Sequence, residues 1–263
     1  ALMGGAPVIT SEGRSFPVET RYLPRPLDKT RRIEASVADL VIEALEAEQG
    51  SALVFLPGEG EVRRVQQALS GRVGADTVLR PLYGAMKLAD QQAAIRPESE
   101  GRKVVLATSV AETSLTIEDI GIVVDSGLAR RARFDPNSGM SRLVTERVTR
   151  AEAEQRRGRA GRVAEGVCYR NWTKGEEGAL SAFAPAEIEV ADRSVRGVEL
   201  AQWGAYPCDL AFLTPPPEGA FAEAQGLLKI LGTLDAQNRI TEHGRAIAAL
   251  QVHPRIAHMI VVA

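Results

Sequence analysis

The densest chemical signal in the chain is EQRRGRAGR, Glu154 to Arg162, where arginines at 156, 157, 159 and 162 alternate with Gly158, Ala160 and Gly161. Small residues let a backbone approach a ligand closely, and guanidinium groups grip phosphate oxygens in bidentate fashion. Arg159 and Arg162 lie three apart, so a helical or near-helical turn projects both the same way. Two guanidiniums on one face can hold a polyphosphate and neutralise charge that develops during phosphoryl transfer. An arginine-glycine run also suits a nucleic-acid-binding or disordered segment, but its place just before an apolar strand argues against disorder. A second run, VVLATSVAETSLTIEDIGIVVDSG, is crowded with hydroxyls at Thr108, Ser109, Thr113, Ser114 and Thr116. Such groups and their backbone amides hold phosphates, and Glu118 can accept from sugar hydroxyls. The plainer reading of this loop is capping of a following helical turn by Ser114 or Thr116.

Both runs need a frame, and the apolar pattern supplies one. FPVETRYL, within a proline-rich and charged opening, reads as an entry strand. Ile33, Val37, Leu40, Val41, Ala44 and Leu45 recur at helical spacing and stop at Gly50. SALVFLP then reads as a buried strand, Glu59 to Leu69 as a helix, TVLRPLYG as a strand, Leu88 to Ile95 as a short helix and RKVVLATS as a buried strand. IGIVVDSG repeats that pattern, SRLVTERV follows as an alternating strand, Ala151 to Arg157 suits a short helix, and GVCYRNW closes the sheet. Strands alternating with helices predict an α/β domain on a parallel sheet, with the hydroxyl loop at the carboxyl ends of its strands.

Beyond about residue 180 the pattern becomes mostly helical. EIEVADRSVRGVELAQWG reads as one helix stopped by Gly204, and LTPPPEGAFAEAQGLLKILG as a proline-capped helix stopped by Gly232. TLDAQNRI reads as a two-stranded wing, and Thr241 caps EHGRAIAAL. Helix, helix, wing is the pattern of a winged-helix module. The closing HPRIAHMIVVA is an apolar helix without a polar end, which reads as a cut within a longer protein.

The 263 residues are 44% hydrophobic and 25% charged, a globular composition that excludes disordered and collagen-like chains. No apolar run is long enough to span a bilayer, and ALMGGAPVIT lacks the features of a signal peptide, so the expected setting is cytoplasmic, with no membrane partner. Cys168 and Cys208 have no partners at metal-ligand spacing, which excludes a disulfide scaffold or structural zinc; both read as ordinary buried or half-buried thiols. The net charge of −2 is unevenly spread: residues 130–162 hold ten arginines, no lysine and four acids. Arginine without lysine favours planar phosphate recognition over plain solubility. Trp172 and Trp203 read as core or interdomain packing and the three histidines as surface or capping residues. Arg130, Arg131 and Arg133 read equally as a nucleic-acid channel lining and as a solvated edge.

These motifs carry a family resemblance. LVFLPGEGEV resembles motif IV, RPLYGAM the segment after it, ATSVAETSLTI motif V and QRRGRAGR motif VI of the DEAH-box helicases of superfamily 2, in order and spacing. PAEIEVADRSVRGVELAQWG and FLTPPPEGAFAEAQGLLKILGTLDAQNRITEHGRAIAALQVHPR are similar to that family's winged helix and the start of its ratchet-type helical domain. The resemblance covers about residues 10 to 263, and GVELAQWG leans towards the bacterial HrpB-type branch. It implies an entry segment over 1–27, a second RecA-like domain with flanking helices over 28–178, a winged helix over 179–241 and the truncated start of a ratchet-type domain over 242–263.

The sequence has neither a GxxxxGK[ST] phosphate loop nor a DEAH tetrapeptide. The resemblance therefore implies an ATP site shared with a missing first RecA-like domain, which would carry the Mg²⁺ ligands. By matching position, Gln155, Arg159 and Arg162 are implied to face the γ-phosphate and attacking water, Thr116 and Glu118 the ribose, and Thr108 and Ser109 the nucleic-acid backbone. Glu118 stands where the family often has aspartate, and Ile95 where many relatives stack an aromatic on the base. The implied activity is ATP-dependent 3′ to 5′ movement on single-stranded RNA with duplex separation. The rival readings are a non-enzymatic winged-helix binding or adaptor module and a DNA translocase on the same scaffold.

Overall fold

The computed structural model describes residues 4–10, 15–28, 30–112, 116–135 and 140–263. Two compact units emerge, one built from Ser11–Arg131 with Val144–Ala184, the other from Ala132–Leu143 and Pro185–Ala263 together with Ala1–Thr10.

In the first unit the order is β1 (Val18–Tyr22), α1 (Ile33–Ala47), β2 (Ser51–Phe55), α2 (Glu59–Leu69), β3 (Thr77–Leu82), α3 (Leu88–Ile95), β4 (Arg102–Ala107) and β5 (Ile120–Asp125). The paired strands β6 (Leu128–Asp135) and β7 (Met140–Arg147), whose residues from Ala132 to Leu143 count with the second unit, follow, then α4 (Arg150–Arg157), β8 (Gly166–Arg170) and the single turn α5 (Lys174–Glu177). Six strands form one parallel sheet in the order β1-β8-β5-β2-β4-β3. The RecA-like α/β frame expected from the pattern is therefore present. Two strand assignments differ from the sequence reading. β8 does not close the sheet but lies inside it, because the entry strand β1 pairs along its free side from Val18↔Gly166 to Tyr22↔Arg170. SRLVTERV leaves the sheet to pair with β6 in a separate two-stranded ribbon.

Alternation along the buried strands sorts side chains between two cores. Ala52, Val54, Val104, Leu106, Ile122 and Val124 pack with α1 and α2 on one face. Leu53, Phe55, Val105, Ala107, Val123 and Cys168 pack on the other, with Ala94 of α3, Ala111 and Ala160. That second face carries the arginine run. Pro81 cannot donate to a ladder and sits in β3, a sheet edge, where its missing N–H costs least.

Two adjacent cations fasten helices on opposite faces. Arg102 donates to the carbonyls of Leu45 (2.7 Å) and Glu48 (3.0 Å) at the end of α1. The fully buried Lys103 donates to those of Ile95 (3.1 Å) and Arg96 at the end of α3. Cations at helix C-termini satisfy orphan carbonyls and the negative end of the macrodipole. Burial pulls the Lys103 ammonium below its ordinary range, with Asp119 and Glu98 opposing.

The second unit holds α6 (Glu187–Val190), α7 (Ser194–Trp203), α8 (Glu218–Ile230), α9 (Glu242–Ala249) and α10 (Pro254–Val262), around Val198, Leu228 and Leu234. The expected helix from Glu187 to Gly204 is two helices. Asp192 breaks it by accepting from the Ser194 N–H (2.9 Å) and hydroxyl (2.8 Å), and His253 holds the same carboxylate at 2.5 Å. Gly204 ends α7 in the left-handed region at φ 71°, and Thr241 caps α9 through Gly244 N–H (2.9 Å). The expected wing is a single antiparallel bridge, Leu234↔Ile240, since Asp235 turns the chain by accepting from the N–H groups of Gln237 and Arg239.

Trp172 is buried in the core, and Trp203, the last residue of α7, is 71% exposed. One smaller expectation is overturned. Cys208 is exposed, while Cys168 lies in the sheet core, where burial pushes its thiol up to about 12. Of the histidines, His253 caps α10 by accepting from Arg255 N–H (3.2 Å), and His243 and His258 bond to each other at 2.8 Å. Among the described residues no helix is long and apolar enough to cross a membrane.

The helix that carries the arginine run starts on a capping box. Thr149 accepts from Glu152 N–H (3.3 Å) and the Glu152 carboxylate accepts from Thr149 N–H (2.7 Å). Burial works against the ionised Glu152, but Thr149 and the Arg131 guanidinium outweigh it and hold its pKa below the ordinary value of 4.5. A lowered carboxylate pKa gives stability that is present above the unfolded value and lost as pH falls through the folded one. Thermal melts between about pH 5 and pH 3 should therefore show Glu152→Gln less stable than wild type at the upper end, by about 1 kcal/mol, and the gap closing towards the lower end.

Candidate active site

The carboxyl ends of the parallel strands form one edge, laced by Leu56 N–H to Ala107 O (2.8 Å), Ser126 N–H to Phe55 O (3.2 Å) and Asn171 N–H to Asp125 O (2.9 Å). Thr108 leaves β4 at this edge, its N–H donating to Leu82 O (3.1 Å), and leads into a short 3-10 turn, Ser109–Ala111. Thr113 and Ser114 lie outside the described residues, so the capping reading of Ser114 does too. Thr116 is exposed, as is Glu118.

Across from this loop, α4 runs directly into a second 3-10 turn, Gly158–Gly161. This is the near-helical geometry that the spacing of Arg159 and Arg162 calls for. Both side chains border one apolar floor of Leu53, Ala111, Ile117 and Ile120. Arg159 is buried and donates to the carbonyl of Glu112, and Arg162 is exposed and donates to the Thr116 hydroxyl at 2.9 Å. Burial lowers the Arg159 pKa and neighbouring Arg162 adds to that, with Glu112 opposing. Two guanidiniums this near to one another are suited to an anion.

Gln155 is exposed on α4. The structure thus brings Thr116, Arg159 and Arg162 together and places Thr108 and Ser109 at the other end of the same loop. Ile95 is half-buried at the end of α3, packed against the sheet core. Of the cations after β5, Arg131 is a clamp, donating to Glu152 (2.6 Å), Glu146 (3.2 Å) and Arg147 O (3.3 Å). Arg130 is exposed, 3.5 Å from Glu61, and Arg133 is half-buried.

Sequence reasoning missed the buried centre of the site. Arg156, 1% exposed, donates to Glu112 (3.0 Å), Asp125 (2.8 Å) and Leu128 O (3.1 Å), and its guanidinium lies 5.0 Å from the Phe55 ring. Burial holds the Glu112 carboxyl above the usual range against the pull of Arg156. The signal was in the sequence: Asp125 ends an apolar run, and an acid buried there requires a cation. Among the described residues no group of three or more His, Cys, Asp or Glu could hold a metal ion.

Residues 35–164 match the helicase conserved C-terminal domain. Escherichia coli K12 ATP-dependent RNA helicase HrpB is 48% identical over 99% of this chain, and HrpA of the same organism is 35% identical over 97%. The chain carries most of a helicase conserved C-terminal domain and is similar over nearly its whole length to DEAH-box RNA helicases. A crystal structure of the Escherichia coli DEAH/RHA helicase HrpB superposes over the whole chain with a TM-score of 0.93 at 46% identity, and another, of the DExH-box NTPase HrpB, over 99% with 0.89. The chain spans about a third of each HrpB chain, 32% of the curated sequence and 33% of the structure with the TM-score of 0.93.

The two glycines of the arginine run do different jobs. A Cβ on Gly161 would lie 2.5 Å from Phe16 O and 2.7 Å from Val18 Cγ2, whereas nothing stands within 4 Å of one on Gly158. Gly161→Ala should lower stability by about 1–3 kcal/mol in denaturant melts, and Gly158→Ala should stay within about 0.5 kcal/mol of wild type. Arg156→Met leaves two buried carboxylates uncompensated and should cost about 3–5 kcal/mol in the same assay.

Proposed function

We propose that this chain is the C-terminal motor half of an ATP-dependent helicase that moves 3′ to 5′ on single-stranded RNA and separates duplexes. The observation that carries the reading is the pairing of Arg159 and Arg162 over one apolar floor, tied by Arg162 to Thr116. Arginines so placed suit the γ-phosphate of ATP as its charge spreads during transfer. Gln155 faces solvent on the helix just before them, where it orients the attacking water. Thr116 and Glu118 take the ribose, and Thr108 and Ser109 take RNA phosphates and sugars without reading bases.

The side chains here are guanidiniums and hydroxyls, a donor set for phosphate and sugar rather than for a divalent cation. Mg²⁺ is therefore assigned to an upstream RecA-like domain that completes the ATP site, and this chain alone is expected to be silent. The proposed setting is cytoplasmic. The names of relatives such as HrpB and HrpA support ATP and RNA as the substrates. A DNA translocase on the same scaffold and a non-enzymatic winged-helix module are the competing readings.

Steady-state ATP hydrolysis distinguishes them. The full-length protein should turn over ATP faster with single-stranded RNA, and Arg162→Ala should lower that rate by roughly 10³-fold or more while its thermal melt is preserved. Wild-type turnover by Arg162→Ala would remove the finger assignment, and RNA-independent but DNA-dependent turnover would favour the translocase.

A further inference from the structure

Helix α4 is tied down on both sides of Gln155. Successive residues of a helix turn by about 100°, so Glu154 and Arg156 leave the axis to either side of it. Arg156 is fixed to the end of β5 through Asp125 (2.8 Å). Glu154 is held through both carboxylate oxygens: Oε1 accepts from the Arg170 guanidinium of β8 at 2.6 Å, and Oε2 accepts from Arg157 Nε at 2.8 Å. Arg157 in turn donates to Val18 O of β1 (3.1 Å). One carboxylate thereby links α4 to two neighbouring strands, β8 and β1.

The anchor on β8 is rigid. Arg170 is 1% exposed, lies 5.6 Å from the Tyr22 ring and 5.4 Å from the Trp172 ring, and also pairs with Glu177. A guanidinium so enclosed keeps its direction, and its planar fork serves two carboxylates at once. Glu154, by contrast, is half exposed, so the pair fixes the rotation of α4 from an outward face. Glu152, Glu154, Arg156 and Arg157 all have side-chain partners and Ala153 is buried. Among the described residues Gln155 alone in this stretch has neither, and it is exposed.

We infer that Glu154, held by Arg170, is a positioning residue that fixes the direction of Gln155 and with it the line along which water attacks ATP. The inference rests on the proposed function, which gives Gln155 that water. Alignment of this kind is sensitive: a misplacement of about 1 Å can cost on the order of 10²-fold in rate.

The test uses the full-length protein. Glu154→Ala removes both ends of the link from a half-exposed position, Glu154→Gln keeps one acceptor, and Arg170→Lys keeps the buried charge but loses the fork. Melting curves establish folding, and Glu154→Gln carries the test if the other two do not fold. Each variant is made with Gln155 and with Gln155→Ala. Single-turnover ATP hydrolysis, with single-stranded RNA and excess enzyme, gives the rate constant, and a non-hydrolysable ATP analogue gives the Kd. Glu154→Ala should lower the rate constant on the order of tenfold, with the analogue Kd within about twofold of wild type and Glu154→Gln intermediate. None of the variants should lower the rate further once Gln155→Ala is present, because the effect passes through that side chain. A merely structural role would lower the rate by the same factor in both backgrounds; that result, or a wild-type rate in folded Glu154→Ala or Glu154→Gln, overturns the inference. A wild-type rate in Gln155→Ala alone would remove the water assignment and this inference with it, and absence of turnover in the wild-type protein would overturn the helicase reading itself.

Discussion

Much of the geometry described above depends on one guanidinium placed where there is almost no water. Arg156 lies between Glu112 and Asp125 with its face towards Phe55, so a charge that is costly to bury is neutralised by two acids from separate elements. A hydrophobic trio of similar volume could fill the same space as stably. The ionic set adds direction: it accepts one arrangement of α4 against β5 and the loop after β4. The next turn of α4 inherits that arrangement, which is why Arg159 and Arg162 meet Glu112 and Thr116 at defined points rather than reaching loosely into solvent.

Packing around the run completes the constraint. Ala160 is buried between the sheet and Gly166, and Gly161 leaves just enough room for the backbone of β1 to pass. The segment entering β1 thus does more than lead into the domain: Phe16 N–H donates to Gly161 O at 2.9 Å, an approach that a residue without a side chain permits. At the end of the run Ala160 and Gly161 pack inward while Arg162 reaches out.

The sequence made the parallel frame legible because its strands are continuous apolar runs and its helices carry one apolar stripe each; α2 and α3 lie where periodicity places them. The shared direction of Arg159 and Arg162 was legible from spacing, and the family resemblance from the motifs and their order. Glu112 and Arg156 were not, since a sequence states charge but not depth: nothing in QRR distinguishes the buried arginine from the exposed glutamine before it. The split of α6 from α7 was hidden for a related reason. Asp192 is compatible with a helix until Ser194 and His253, the latter 61 residues away, take its carboxylate. The place of β8 inside the sheet depended on β1, a short and half-exposed strand in a proline-rich stretch.

The neighbouring cations at the start of β4 have a consequence for assembly of the domain. Because successive side chains of a strand point to opposite faces, Arg102 and Lys103 can serve α1 and α3 at once in only one alignment. Sliding β4 by a single residue would present each cation to the wrong layer, leaving a charge in an apolar core and two helix ends uncapped. The dipeptide therefore acts as a proofreading key: a misaligned sheet is penalised on both sides together, before the loop beyond β4 is ever asked to meet the arginines.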